Sequence, residues 1–181
     1  MSSLKVARTL AELRALAPAG SAVTLGVFDG VHLGHRAILE ALIARREQGH
    51  VESAWLLTFD PHPLAVTHSR ETPLILATVG ERLELFSKCP LDGVFVLPFD
   101  EATAHIGYRE FIQRFFLDAM DMRELVIGYD CHFGHRREGS PEKVAEEGAR
   151  RGFGVTIVPP VRIDAEIVSS TTIRKTLSSA N

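Results

Sequence analysis

The run Gly26-Val27-Phe28-Asp29-Gly30-Val31-His32-Leu33-Gly34-His35 gathers three glycines and two histidines into one short segment. Those residue types suit a phosphate. Glycine lets backbone amides approach a ligand closely, and a helix that starts here offers free N–H groups at its N-terminus. His32 and His35 add two rings able to donate to phosphoryl oxygens. The run is neither GxxxxGK[ST] nor GxGxxG, so it is not a Walker loop or a dinucleotide fingerprint. HxxH also occurs in metal sites, but those need further ligands at defined positions, and the Glu of a helical HExxH is missing. A tight turn with two solvated histidines is the plain alternative.

Three further segments carry chemistry of their own. Ser169-Ser170-Thr171-Thr172-Ile173-Arg174 sets hydroxyl caps and an arginine fork at a helix start. It is either a second anion cradle or simply a capped terminal helix with a surface arginine. Gly128-Tyr129-Asp130-Cys131-His132-Phe133-Gly134-His135-Arg136-Arg137-Glu138-Gly139 suits a loop that stacks a planar ligand and holds an anion, or a long solvated loop. Cys131 reads as a packing residue, since no activating base or helix N-terminus stands beside it. Phe59-Asp60-Pro61-His62-Pro63 is stiffened by two prolines and would make a lid or pocket wall.

Positioning these segments requires strands that end where they begin. Apolar, β-branched runs at 22–27, 53–59, 93–97, 125–128 and 154–158 read as five buried strands. Between them, helical spacing runs from the first loop to Gly49, over 79–87, over 108–119 and from the Ser140 cap to about Arg151, with a last short helix at 169–177. Residues 64–77 fit neither pattern and are expected to cross one end of the sheet. Alternating strands and helices with continuous apolar strands predict a three-layer α/β/α fold around a parallel five-stranded sheet. Ligands in such folds bind beyond the carboxyl ends of the strands.

The 181 residues are 45% hydrophobic and 24% charged, with Lys+Arg 20 against Asp+Glu 23 for a net charge of −3. That balance fits one globular domain and excludes disorder, collagen and coiled coil. The mild acidity argues against nucleic-acid binding, so any anion must meet locally concentrated positive groups. No apolar run approaches a membrane span of roughly 18 residues, and the start has no signal-peptide core. Cys89 and Cys131 are far apart, which indicates neither disulfides nor a cysteine zinc site. A cytoplasmic protein is expected, with no membrane or nucleic-acid partner.

Taken together and in order, GVFDGVHLGH (26–35), TFDPHP (58–63), GYDCHFGHRREG (128–139) and SSTTIR (169–174) resemble the adenylyltransferase module of the prokaryotic bifunctional riboflavin kinase/FAD synthetases. That module is an HxGH nucleotidyltransferase of Rossmann-like fold, and the resemblance covers nearly the whole chain. It implies that ATP and FMN are converted to FAD and pyrophosphate by direct in-line attack, with Mg²⁺ carried by ATP and no metal ligand from the protein. His32, His35 and Arg174 then match the catalytic residues. Gly26, Phe28, Asp29, Gly30, Gly34, Ser169, Ser170 and Thr171 match the ATP site. Phe59, Pro61, His62, Asp130, Phe133 and Arg137 match the FMN site. Three positions depart from the family pattern: Tyr129 for an acidic residue, Cys131 for a phenylalanine and Thr172 for an arginine. The resemblance stops where a riboflavin kinase domain would begin, so residues 1–181 are expected to be one adenylyltransferase domain, served by a separate kinase or by the missing domain. Two alternatives accompany these departures: an HxGH enzyme with another phosphorylated acceptor, or a flavin or nucleotide binder without turnover.

Overall fold

The computed structural model describes residues 3–67, 74–164 and 166–179. Elements follow one another as β1 (Lys5–Ala7), α1 (Leu10–Leu16), β2 (Ser21–Leu25), α2 (Leu33–Glu47), β3 (Ser53–Asp60), α3 (Pro63–Thr67), α4 (Val79–Ser87) and β4 (Gly93–Pro98). Next come α5 (Glu101–Ala104), α6 (Tyr108–Phe111), a π-helical turn (Ile112–Leu117), α7 (Asp118–Met120), β5 (Glu124–Gly128) and a 3₁₀ turn (His135–Arg137). The chain closes with α8 (Pro141–Arg151), β6 (Gly154–Val158), the small hairpin β7 (Arg162–Ile163) and β8 (Glu166–Ile167), and α9 (Ser170–Ser179).

The sheet is parallel throughout, in the order β1-β4-β3-β2-β5-β6. Side chains alternate across it, which is why both faces must be covered. Val23, Leu25, Trp55 and Leu57 bury one face against Leu13 of α1, Ile112, Phe115 and Phe116 of the π-helical turn, and Val144 of α8. Ala22, Leu56, Val94 and Val96 bury the other against Leu39, Leu42 and Ile43 of α2 and Phe86 of α4. The expected three layers are therefore present. Strand order reverses between β2 and β5, and at such a switch point the loops leaving the strand ends diverge and open a crevice.

The sheet has six strands, not the expected five. The extra strand is the three-residue edge β1, of which only Ala7 is buried, too short to leave a periodic signal. β2 ends at Leu25 rather than at 27, because the Val27 carbonyl turns to accept from Thr58 Oγ1 at 3.0 Å. The helix expected over 108–119 is helical to Met120, but its middle is a π-helix. Its wide i→i+5 turn accompanies the joint burial of Ile112, Phe115 and Phe116. Within 64–77, α3 forms at Pro63–Thr67 and residues 68–73 lie outside those described.

The outer edge of the Trp55 indole closes on Gly93 of the neighbouring strand, where an added Cβ would fall 2.4 Å from the ring. Backbone and a fully buried indole leave no room for even a methyl group. Gly93→Ala is expected to cost about 1–3 kcal/mol of stability by overpacking, read as a lower urea midpoint at unchanged m-value.

Candidate functional site

The chain from β2 into α2 makes the first half of the site. His32 is the N-cap of α2, and its Nδ1 accepts from the His35 amide at 3.4 Å. That bond leaves the imidazole proton on Nε2, as a donor. The His32 and His35 rings stack with centroids 3.6 Å apart and planes inclined by 21°. This close approach needs Gly34, where a Cβ would press on the His32 ring and the Val168 carbonyl. The turn before it holds Phe28, Gly30 and Val31 at positive φ. For β-branched Val31, at φ 40°, that is a strained conformation. It is held by burial of Val31 and by its amide bond to the Phe28 carbonyl at 3.1 Å.

α9 makes the second half. Ser169 Oγ accepts from the Thr172 amide at 3.1 Å, the N-cap bond expected from its hydroxyls. Thr172 Oγ1 meets Ser169 Oγ at 2.9 Å. The two halves join at Asp29. Its carbonyl accepts from Ser170 Oγ at 2.9 Å, and its carboxylate accepts from the Leu76 and Ala77 amides at 2.9 Å and from the Arg174 guanidinium. Arg174 Nε also donates to the Leu74 carbonyl at 2.7 Å. The imidazoles at 32 and 35 and the guanidinium at 174 thus sit on one side of the molecule, with Asp29 between them.

A cleft of about 1010 Å³ opens over these residues. Its walls come from the loops that follow β2, β3, β4, β5 and β6 and from the start of α9. Of the residues singled out by sequence, Gly26, Phe28, His32, Gly34, His35, Phe59, His62, Asp130, Phe133, Arg137, Ser169, Ser170 and Thr171 line it. The exposed Pro61, the half-buried Gly30 and Arg174, and the buried Asp29 do not line it. Phe28 and Phe133 are almost wholly buried: Phe28 packs edge-on against Phe86, and Phe133 meets Phe111 at 5.6 Å. Cys131 lines the cleft while packing against the apolar core, and burial pushes its thiol up to about 12, away from the thiolate form.

Arg82 of α4 was not marked by motif. It is buried and donates to the Val27 carbonyl at 2.5 Å, Thr58 Oγ1 at 2.6 Å and the Phe59 carbonyl at 3.1 Å, clamping the ends of β2 and β3 together. Its signal was available: an arginine three residues after Val79 and four before Phe86, on the inward face of an amphipathic helix. Phe99, His105, Phe111 and His135 also line the cleft without having been predicted. Among the described residues no group of three or more His, Cys, Asp or Glu side chains could hold a metal. No helix among them is long and apolar enough to cross a membrane.

Residues 15–172 match the family model described as FAD synthetase. The chain is 29% identical over 180 residues, or 98% of its length, to the bifunctional riboflavin kinase/FMN adenylyltransferase of Escherichia coli K12, of which it covers 56%. It is 32% identical over 162 residues, or 90% of its length, to the Pseudomonas fluorescens protein of the same name, of which it covers 51%. The chain thus spans about half the length of these relatives. Among solved structures it is similar to a Streptococcus pneumoniae protein described as a macrolide-efflux protein, with TM-score 0.79 at 24% identity over 97% of this chain and 57% of that one. It also resembles Thermus thermophilus pantothenate synthetase, with TM-score 0.61 at 17% identity over 96% of this chain and 70% of that one. Likeness at these identities bears on the fold alone.

Protonation in the site follows from burial. Desolvation lowers the His32 pKa against the pull of Asp130 and Asp29. Desolvation and the neighbouring His32 bring His35 down to about 3. Both rings are therefore neutral at pH 7 in the ligand-free protein, donors by their N–H bonds rather than as cations. Burial pushes the Asp29 carboxyl up, but the Leu76 and Ala77 amides and Arg174 outweigh it and hold it below the ordinary range. Between pH 6.5 and about 3 the unfolded chain protonates residue 35 and the folded chain does not. Stability must then fall as pH falls through that window, by up to about 1.4 kcal/mol per pH unit from this residue. His35→Gln is expected to flatten the slope of unfolding free energy between pH 6 and 4.5 relative to the parent, measured by urea denaturation at each pH.

Proposed function

We propose a function from one premise: the chain belongs to the FAD synthetase family. The cleft transfers the adenylyl group of ATP to FMN. A phosphate oxygen of FMN bonds to the α-phosphorus of ATP as the bond from that phosphorus to the bridging oxygen breaks, so FAD and pyrophosphate form. Nothing is oxidised or reduced, and no covalent enzyme intermediate is needed. Positioning and charge stabilisation then supply the rate.

The observation that carries this reading is the meeting of two helix starts, α2 and α9, at Asp29 under one cleft. Free first-turn amides, two neutral imidazoles and the Ser169, Ser170 and Thr171 segment together suit a triphosphate. His32 Nε2–H and His35 donate to its oxygens where negative charge develops. Arg174 is a positioning residue in this ligand-free arrangement, since Asp29 and the Leu74 carbonyl already hold its fork. Mg²⁺ fits as a metal carried by the triphosphate, because it keeps waters and requires few protein ligands. Among the described residues the carboxylates lining the cleft are Asp130 and Glu101, too few for a cage. When bound, it neutralises charge on the leaving pyrophosphate.

The acceptor lies toward Phe59, His62, Asp130, Phe133 and Arg137, along the loops after β3 and β5. His62 is neutral as well, burial being the main reason its pKa is lowered. Riboflavin phosphorylation belongs to a separate kinase or to a kinase domain outside these residues, which form the adenylyltransferase domain. A cytoplasmic location is part of the same proposal.

Purified protein incubated with FMN, ATP and Mg²⁺ is expected to yield FAD and pyrophosphate. Detecting no FAD while ATP still binds would remove the assignment. Replacing His32 by Ala is expected to lower kcat by roughly two orders of magnitude, as loss of one well-placed transition-state donor does. Replacing Arg174 by Ala is expected to lower turnover through lost positioning and to lower the thermal midpoint as well, because the buried Asp29 carboxylate then lacks its guanidinium. Near-normal turnover in both variants would mean that the chemistry lies elsewhere.

A further inference from the structure

The phenylalanines at the acceptor end of the cleft have little face to offer a ligand. Phe59, Phe111 and Phe133 are buried and pack against one another, Phe59 to Phe111 at 6.4 Å and Phe111 to Phe133 at 5.6 Å. Cys131, standing where the resembling family has a phenylalanine, lines the cleft with no ring to offer and packs against the same core. Beside the half-buried Phe99 and His62 and the exposed Tyr129 and His132, two further rings line the cleft and remain accessible: His105, exposed, and His135, half-buried. They stack with centroids 5.1 Å apart and planes 22° from parallel.

The pair is held by backbone rather than by other side chains. His105 Nδ1 lies 2.7 Å from the Glu101 carbonyl and His135 Nδ1 lies 3.2 Å from the Ala104 carbonyl. A carbonyl only accepts, so each Nδ1 carries a proton directed at the backbone and each Nε2 is turned away from it. The His135 amide donates to the Ile106 carbonyl at 2.8 Å. Gly134, at φ 81°, brings the loop so close to Tyr108 that a Cβ there would lie 2.4 Å from the Tyr108 nitrogen. The loop after β5 and the end of α5 are thereby locked together with their two imidazoles in register. The same loop carries Asp130, whose charge acts on His32. One continuous segment therefore reaches from the phosphate end to the histidine stack.

We propose that the His105–His135 stack is a specificity-determining platform on which the planar ring of the flavin substrate is seated, supplying the ring face that residue 131 does not. This rests on the reading under Proposed function. Parallel, pre-ordered rings favour offset stacking with a flat heterocycle. Neither histidine takes part in the phosphoryl chemistry.

The test uses the whole chain and compares His105→Ala and His135→Ala with His105→Phe and His135→Phe. FMN binding is followed by flavin fluorescence, ATP binding by calorimetry and turnover by FAD formation. Each alanine variant is expected to raise Kd and KM for FMN roughly threefold to tenfold, leaving the ATP Kd and kcat at saturating FMN unchanged. Each phenylalanine variant, which keeps the ring but loses the Nδ1 bond to a carbonyl, is expected to recover most of the FMN affinity. The proposal is overturned if FMN affinity does not change in the alanine variants, if ATP and FMN affinities fall together, or if phenylalanine is no better than alanine. Unmodified protein that binds ATP but no FMN would overturn the flavin reading itself, a result distinct from any comparison among the variants.

Discussion

A single buried carboxylate holds the site together. Asp29 receives two backbone amides from the segment before α4, the guanidinium of Arg174 and, on its carbonyl, the hydroxyl of Ser170. Three stretches far apart in sequence therefore meet at one residue. Removing a charge from water is costly unless its hydrogen-bonding capacity is filled, and here each carboxylate oxygen has a donor. Because the price of leaving any of those donors unpaired is high, the first loop and the last helix are kept in one relative position. Every other feature of the phosphate end, from the stacked imidazoles to the strained turn at Val31, is built on that position.

The sheet explains why such a joint is useful. In an all-parallel sheet all the strands deliver their following loops to the same rim, and where strand order reverses those loops diverge and leave a crevice. Arg82 reinforces the rim from below by tying the end of β3 to the chain leaving β2. Glu147 serves a separate, structural purpose on the far side of α8. Arg150 first among its arginine neighbours draws its pKa down to about 2, and Arg109 and Arg151 bind it too, so that α8 is fastened to the helix begun at Tyr108.

The two ends of the cleft differ in how their side chains are used. At the phosphate end the histidines picked out by sequence do line the space, and burial keeps them neutral. At the acceptor end much of the aromatic surface belongs to the core. Phe133 lines the cleft by position yet packs edge-on against Phe111, while the His105 and His135 imidazoles stand accessible beside the half-buried Phe99. An aromatic residue in a loop has no periodicity to reveal whether its ring faces ligand or core, so its type alone did not decide between the two.

Strands β2 to β6, the helices α2, α4, α8 and α9, the helical run begun at Tyr108, the parallel three-layer architecture and the gathering of residues 26–35, 58–63, 128–139 and 169–174 at the strand ends were legible in the chain, whereas α1, α3, α5 and the β7–β8 hairpin were not. The legible features follow from local rules: apolar runs long enough to be buried, caps with hydroxyl side chains, and glycine where the backbone must approach a ligand. The three-residue edge strand β1 was not, because it is too short to carry a pattern. Nor were the inward arginine of α4, the pairing of Asp29 with Arg174 outside the cleft lining, and the pairing of His105 with His135. Each depends on which residues distant in sequence become neighbours and on whether a polar group there finds a partner once water is gone. The sequence by itself settled which residue types were available and on which elements; only the folded packing decided whether each faced ligand, core or another charge, since that choice is made by desolvation and contact, which no local pattern records.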